Sequence, residues 1–228
     1  MVVNMRTLKV IDLFAGLGGW SKPFIERGHE IFRIDWNKKF DLELVADVNN
    51  LQVDDFPWEP DIILASPPCE TFSISSIGHH WNRDRTPKTE EAKIGIELVK
   101  NTVKLIKESN AKIGIIENPR GMLRKLNLID GSRVTAFYCH FGENRAKPTD
   151  LWGLPFPKDF DVRGECHSQR PSHPPDCCCR DHQSAPRGSQ TGTQGMGNYA
   201  TKSLIPYELA LEVCLKAEAQ FESGINDN

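Results

Sequence analysis

Short continuous apolar runs, rather than strict alternation, mark the first half of the chain. Leu8 to Leu13, Ile31 to Ile34, Leu44-Val45-Ala46, Asp61 to Ala65 and Lys112 to Ile116 each read as a buried strand stopped by a polar or turn residue. Helical signals lie between them. Trp20 to Arg27 reads as a short helix closed by Gly28. Thr86-Pro87 offers an N-cap followed by proline at the first helical position. Ala92, Ile96, Val99, Val103 and Ile106 then recur at helical spacing through Lys107. Arg133 to Phe141 is a sixth strand, and Leu204, Leu209 and Val213 place a last helix within Ser203 to Ala219, opened near Pro206. The alternation predicts an α/β fold, a doubly wound and mostly parallel sheet with helices on both faces.

From about Leu151 the pattern changes. Residues 153–198 are rich in Pro, Gly, Ser, Cys and His and show almost no periodicity. Such a stretch is either disordered or a small loop-built lobe that needs a metal. The chain therefore divides into a main domain, residues 1–152 with 199–228, and a small irregular lobe, residues 153–198.

Net charge is −3, which does not advertise a nucleic-acid binder. Net charge speaks to long-range steering, however, not to a local patch. Basic residues do gather at Arg83, Arg85 and Lys88, at Arg120, Arg124, Lys125 and Arg133, and at Arg145 and Lys147. Each group taken alone reads as ordinary solvated surface. No apolar run reaches the length of about 18 residues that a membrane helix needs. The first residues carry no secretion signature, so the expectation is a cytoplasmic monomer with reduced thiols.

Five segments carry candidate chemistry. Ser66-Pro67-Pro68-Cys69 follows a strand, and its prolines force a stiff exit that presents a thiol at the sheet's carboxyl end. The plain alternative is a buried structural cysteine. Asp12-Leu13-Phe14-Ala15-Gly16-Leu17-Gly18-Gly19 is a glycine turn between strand and helix. It is neither the dinucleotide nor the phosphate-loop pattern, so a ligand without phosphates suits it better. Asp35-Trp36 ends the second strand with an acid suited to ribose hydroxyls and a ring able to stack on a purine. Asp47 ends the third strand and could meet an exocyclic amine. Glu117-Asn118-Pro119 ends the fifth strand, beside the Cys69 strand in a sheet of this order. A thiolate attacking C6 of cytosine needs a partner at N3, and a proton-sharing Glu117 supplies one.

In this order the segments resemble the DNA cytosine-C5 methyltransferase family, over about residues 8 to 150 plus the last helix. The compact size and the run from Lys147 to Trp152 look like the small phage-borne members. The resemblance implies S-adenosylmethionine as cofactor, held by Phe14, Gly16, Gly18, Asp35, Trp36, Asp47 and Pro67. It implies Cys69 as nucleophile and Glu117 as the group that meets N3 and the 4-amino group. The family's Gln-x-Arg-x-Arg stretch falls on Glu143 to Lys147, which implies catalytic roles for Arg145 and Lys147. Glu and Lys replace the family's Gln and second Arg, and Lys does not reproduce a planar two-point contact.

Double-stranded DNA is the implied partner, with no membrane involved. Ser73, Arg83, Arg85 and Arg187 are the candidate DNA contacts. Residues 153–198 fill the slot of the family's target-recognition region, and so short a lobe implies a site of about two to four base pairs. Structural zinc is a further expectation, with Cys166, Cys177, Cys179 and His182 as ligands; the alternative is incidental Cys and His in a flexible segment. The activity implied is methyl transfer to cytosine C5 in DNA. A tRNA-acting member of the same family, or a silent DNA-binding homologue, are the rivals.

Overall fold

A computed structural model describes residues 6–143, 147–164, 201 and 203–223. Its sheet has seven strands: β1 (Lys9–Leu13), β2 (Glu30–Asp35), β3 (Leu44–Val45), β4 (Ile62–Ala65), β5 (Ile113–Pro119), β6 (Ser132–Phe137) and β7 (Pro148–Gly153), in the order β3-β2-β1-β4-β5-β7-β6. The first five run parallel to one another, and β7 is antiparallel to both β5 and β6. The helices are α1 (Ser21–Glu26), α2 (Ile77–His80), α3 (Glu90–Glu108) and α4 (Tyr207–Ser223).

Period-two side-chain direction splits the apolar runs between two cores. Ile11, Leu13, Ile63, Ala65 and Ile116 face α3, where Val99, Val103 and Ile106 cover them. Val10, Ile62, Leu64, Ile113 and Ile115 face the other way, onto Phe24 of α1 and Leu209, Val213 and Ala217 of α4. Covering on both faces is why these strands read as unbroken apolar runs.

Three boundaries differ from the sequence reading. Thr86-Pro87 caps no helix. Thr89 Oγ1 accepts the Ala92 N–H at 3.3 Å and opens α3 at Glu90. Pro87 instead pairs with Trp81, whose buried indole donates to the Thr71 carbonyl at 2.7 Å and folds the 70–89 segment back on itself. The strand read over Arg133 to Phe141 ends at Phe137; Tyr138–Phe141 is a 3-10 turn ended by Gly142 at φ 83. The last helix starts after Pro206 and runs on to Ser223.

Asp12 is a buried carboxyl in the parallel core. Burial pushes its carboxyl up to about 7, against the lowering effect of the Ser21 hydroxyl that donates to Oδ2. A carboxyl held above its ordinary value of 3.8 stabilises the fold while protonated, and loses that contribution as pH rises through about 7. Asp12→Asn is therefore expected to melt near the wild type at pH 4 and several degrees higher at pH 8. Thermal melts across that range check it; equal wild-type and variant melting at pH 8 would contradict it.

Candidate active site

The register of β1, β4 and β5 levels their carboxyl ends: Leu13 pairs with Ala65, and Ala65 with Ile116. Three loops consequently leave the sheet side by side. The first is the glycine turn, with Phe14 at φ 60, Gly16 at φ 52 and Gly18 at φ 72. Asp35 Oδ2 accepts the Gly16 N–H at 3.1 Å and Oδ1 accepts the Asn37 N–H at 2.9 Å, which fixes the turn against the end of β2. The second loop is Ser66-Pro67-Pro68-Cys69. Its serine accepts the Trp20 indole N–H at 3.0 Å, tying it to the first loop. The third follows Pro119, three residues beyond Ile116 along β5. Asn118 Nδ2 donates to the Pro67 carbonyl at 2.9 Å and ties it to the second.

Glu117 is buried, and the Tyr138 hydroxyl donates to its Oε1 at 3.1 Å. Lys147 Nζ sits 4.3 Å from the centre of the Tyr138 ring. A cavity of about 290 Å³ joins these parts; Gly16, Asp35, Trp36, Cys69, Glu117 and Lys147 all line it.

Comparison with known proteins bears on this arrangement. A family model described as C-5 cytosine-specific DNA methylase matches residues 8–130, more than half of the chain. The chain belongs to that family. It is 36% identical over 83 residues to the Type II methyltransferase M.HaeII of Haemophilus aegyptius, covering 32% of this chain and 26% of that protein. It is 25% identical over 162 residues to a protein of Frog virus 3 named "Probable DNA (cytosine-5)-methyltransferase", covering 64% of this chain and 70% of that one. Against the Type II methyltransferase M.NgoBI of Neisseria gonorrhoeae it is 28% identical and spans 38% of that protein's length. The solved structure of the Entamoeba histolytica methyltransferase EhMeth shares the fold, with a TM-score of 0.51 at 13% identity over 70% of this chain and 58% of that one.

In this methylase-family chain the expected residues fall into five groups. Phe14, Gly16, Asp35, Trp36, Pro67, Cys69, Glu117 and Lys147 meet at the cavity. Asp47 lines a smaller neighbouring cavity of about 190 Å³ with Phe14, Trp36 and Pro68, and its Oδ1 accepts the Asn49 N–H at 2.9 Å. Gly18 shapes the turn through its N–H bond to the Ala15 carbonyl rather than forming the wall. Arg83 and Arg85 are exposed on the 70–89 segment, and the Ser73 hydroxyl bonds those of Ser75 and Ser76. Arg145, Arg187, Cys166, Cys177, Cys179 and His182 lie outside the described residues.

Several site residues escaped the sequence reading. Ser66 stood in the quoted motif, but its place between Trp20 and Glu117 is a tertiary fact. Tyr138 was hidden inside a predicted strand. Ser203, Leu204 and Ile205 close the cavity over the glycine turn, where a Cβ on Gly19 would stand 2.8 Å from the Ile205 nitrogen. That close approach explains a glycine at position 19, and it was the one signal in the sequence.

Electrostatics couples the two reactive groups. Burial first, and the Glu117 charge second, push the Cys69 thiol up to about 11 against the lowering effect of Lys147. Glu117 is itself raised, first by burial, against the lowering effects of Lys147, Tyr138 and Ser66. Neutralising Glu117 thus favours a thiolate on Cys69. Alkylation of Cys69 by iodoacetamide, followed on its peptide by mass spectrometry, is expected to be about two- to tenfold faster in Glu117→Gln and similarly slower in Lys147→Gln. The opposite order would contradict the coupling.

Proposed function

We propose that this chain transfers a methyl group from S-adenosylmethionine to C5 of cytosine in double-stranded DNA, with Cys69 forming a transient covalent bond to C6 of a base rotated out of the duplex. Membership of the cytosine-C5 family supports the reaction class. The observation that carries the reading is the meeting of Cys69, Glu117 and Lys147 in one cavity that also opens onto the glycine turn and Asp35-Trp36.

The residues present suit the cofactor. Trp36 exposes 69% of its surface beside the cavity, an available face for a purine. Asp35 is buried, and its two backbone contacts leave carboxylate lone pairs for ribose hydroxyls. Phe14 and Asp47 border the adjoining hollow. The bound cofactor would supply an electrophilic methyl group.

Everything else is the work of the protein. A base inside the stack hides C6, so the substrate must be extruded into the cavity. Glu117, neutral when it meets the base, gives a proton to N3 and accepts from the 4-amino group. Glu117 receives the Cys69 thiol's proton in place of the one it gives to N3; the electrons drawn toward N3 make C6 electrophilic, and the resulting thiolate attacks it. A new S–C6 bond forms and C5 becomes the nucleophilic carbon. After methylation the C5 proton leaves to water, the S–C6 bond breaks, and N3 returns its proton. Lys147 favours the thiolate throughout, the part that charge alone can play.

Glu70, at the start of the 70–89 segment, lines the cavity, and in this reading the exposed Arg83 and Arg85 of that segment meet phosphates. Base choice would then fall to residues 153–198.

The test is bisulfite sequencing of DNA from cells expressing the chain. The expected result is 5-methylcytosine within a fixed context of about two to four base pairs. Cys69→Ser should reduce it by more than about a thousandfold, and Glu117→Gln by about a hundred- to a thousandfold. Unmodified DNA, or methylation confined to RNA, would contradict the proposal.

A further inference from the structure

Three buried polar atoms outside the reaction lie together on the α3 side of the sheet. Asn118, Asp150 and Thr135 are direct cross-strand partners on β5, β7 and β6. Residues opposite one another in such a ladder share a face, with Cβ atoms about 5 Å apart. Arg124, from the turn after β5, donates through Nη2 to Asp150 Oδ1 at 2.9 Å, and the Thr135 hydroxyl donates to the same oxygen at 2.8 Å. That leaves Asp150 Oδ2, Asn118 Oδ1 and Arg124 Nε, all buried and without a protein partner among the described residues.

The three atoms are complementary: one donor and two acceptors. A single water among them would satisfy all three by accepting from Arg124 Nε–H and donating to Asp150 Oδ2 and Asn118 Oδ1. Three hydrogen bonds are the usual complement of a buried water. A buried charged pair left with open valences is otherwise costly.

The consequence concerns the amide of Asn118. Its two ends are nearly the same shape, so only hydrogen bonding decides which faces where. The Pro67 carbonyl can only accept, so it takes the NH₂ group at 2.9 Å, and the water holds the opposite end of the amide through Oδ1. The reverse orientation would set oxygen against oxygen and release the strand exit that carries Cys69.

We propose that Arg124 and Asp150, through one internal water, are positioning residues that lock the Asn118 amide toward Pro67 and so hold Cys69 in line for attack. The inference rests on the proposed reaction, and its test separates the two. The probe is duplex DNA with 5-fluorocytosine in place of cytosine, mixed with S-adenosylmethionine; fluorine at C5 blocks the final proton loss and traps the adduct. The readout is the rate of adduct formation, with cofactor affinity measured alongside. Asp150→Asn is expected to slow capture about tenfold and Asn118→Ala about a hundredfold, while the double variant is no slower than Asn118→Ala alone. Arg124→Lys keeps the charge but removes the Nε donor, and should match Asp150→Asn with cofactor affinity unchanged.

A double variant slower by the product of the single effects would overturn the proposal, as would wild-type capture in Arg124→Lys. If the double variant does not fold, Arg124→Lys decides alone. Absence of adduct with the wild type would instead count against the reaction itself.

Discussion

The hydrogen bond from Asn118 to the Pro67 carbonyl joins the two halves of the reactive centre. Proline cannot donate, so the Pro67-Pro68 segment has few ways to be held except through its carbonyls. The parallel pairing of Ala65 with Ile116 brings the two exits level, and the amide closes the remaining gap. Cys69 then turns back, its carbonyl accepting the Phe72 and Ser73 N–H groups at 3.0 and 2.9 Å. On the far side Ser73 bridges to Gly121, where a Cβ would lie 2.1 Å from the Phe72 carbonyl oxygen. The segments after Cys69 and after Glu117 are therefore folded against each other, and little in this region can move independently.

Burial gives that geometry its chemical meaning. Burial raises both the Cys69 thiol and the Glu117 carboxyl, and the Glu117 charge raises the thiol as well. Lys147 limits the effect without cancelling it. In the proposed reaction one proton sits on sulfur at rest and on the carboxyl when a base arrives, with no change in total charge. That reaction thus pairs a poor resting nucleophile with a route to a good one. The buried Asp12 beneath the glycine turn shows the same willingness of this fold to hold carboxyls above their ordinary range.

The parallel half of the sheet was legible because central strands covered on both faces must be apolar throughout, and Ile62 to Ala65 and Ile113 to Ile116 are. The strand exits followed from proline and glycine chemistry. β7 was not legible. It begins with Pro148 and buries Thr149 and Asp150, so it reads as polar although Asp150 is fully enclosed. Its polarity is repaid by Arg124 and Thr135, partners distant in sequence. The start of α3 misled for a related reason: Thr86-Pro87 has the chemistry of a cap, but the Trp81 anchor draws it into a turn. Tyr138 and the 203–205 segment reach the cavity only through the fold, and no local pattern marks them.

The most direct test of the whole account is to identify the residue that bonds to the base. Adduct formed on 5-fluorocytosine DNA with S-adenosylmethionine can be digested and read by tandem mass spectrometry. The account predicts a nucleotide attached to the sulfur of Cys69, with no other cysteine modified. Attachment at any other residue, or methyl transfer that proceeds with Cys69 replaced by serine, would contradict it.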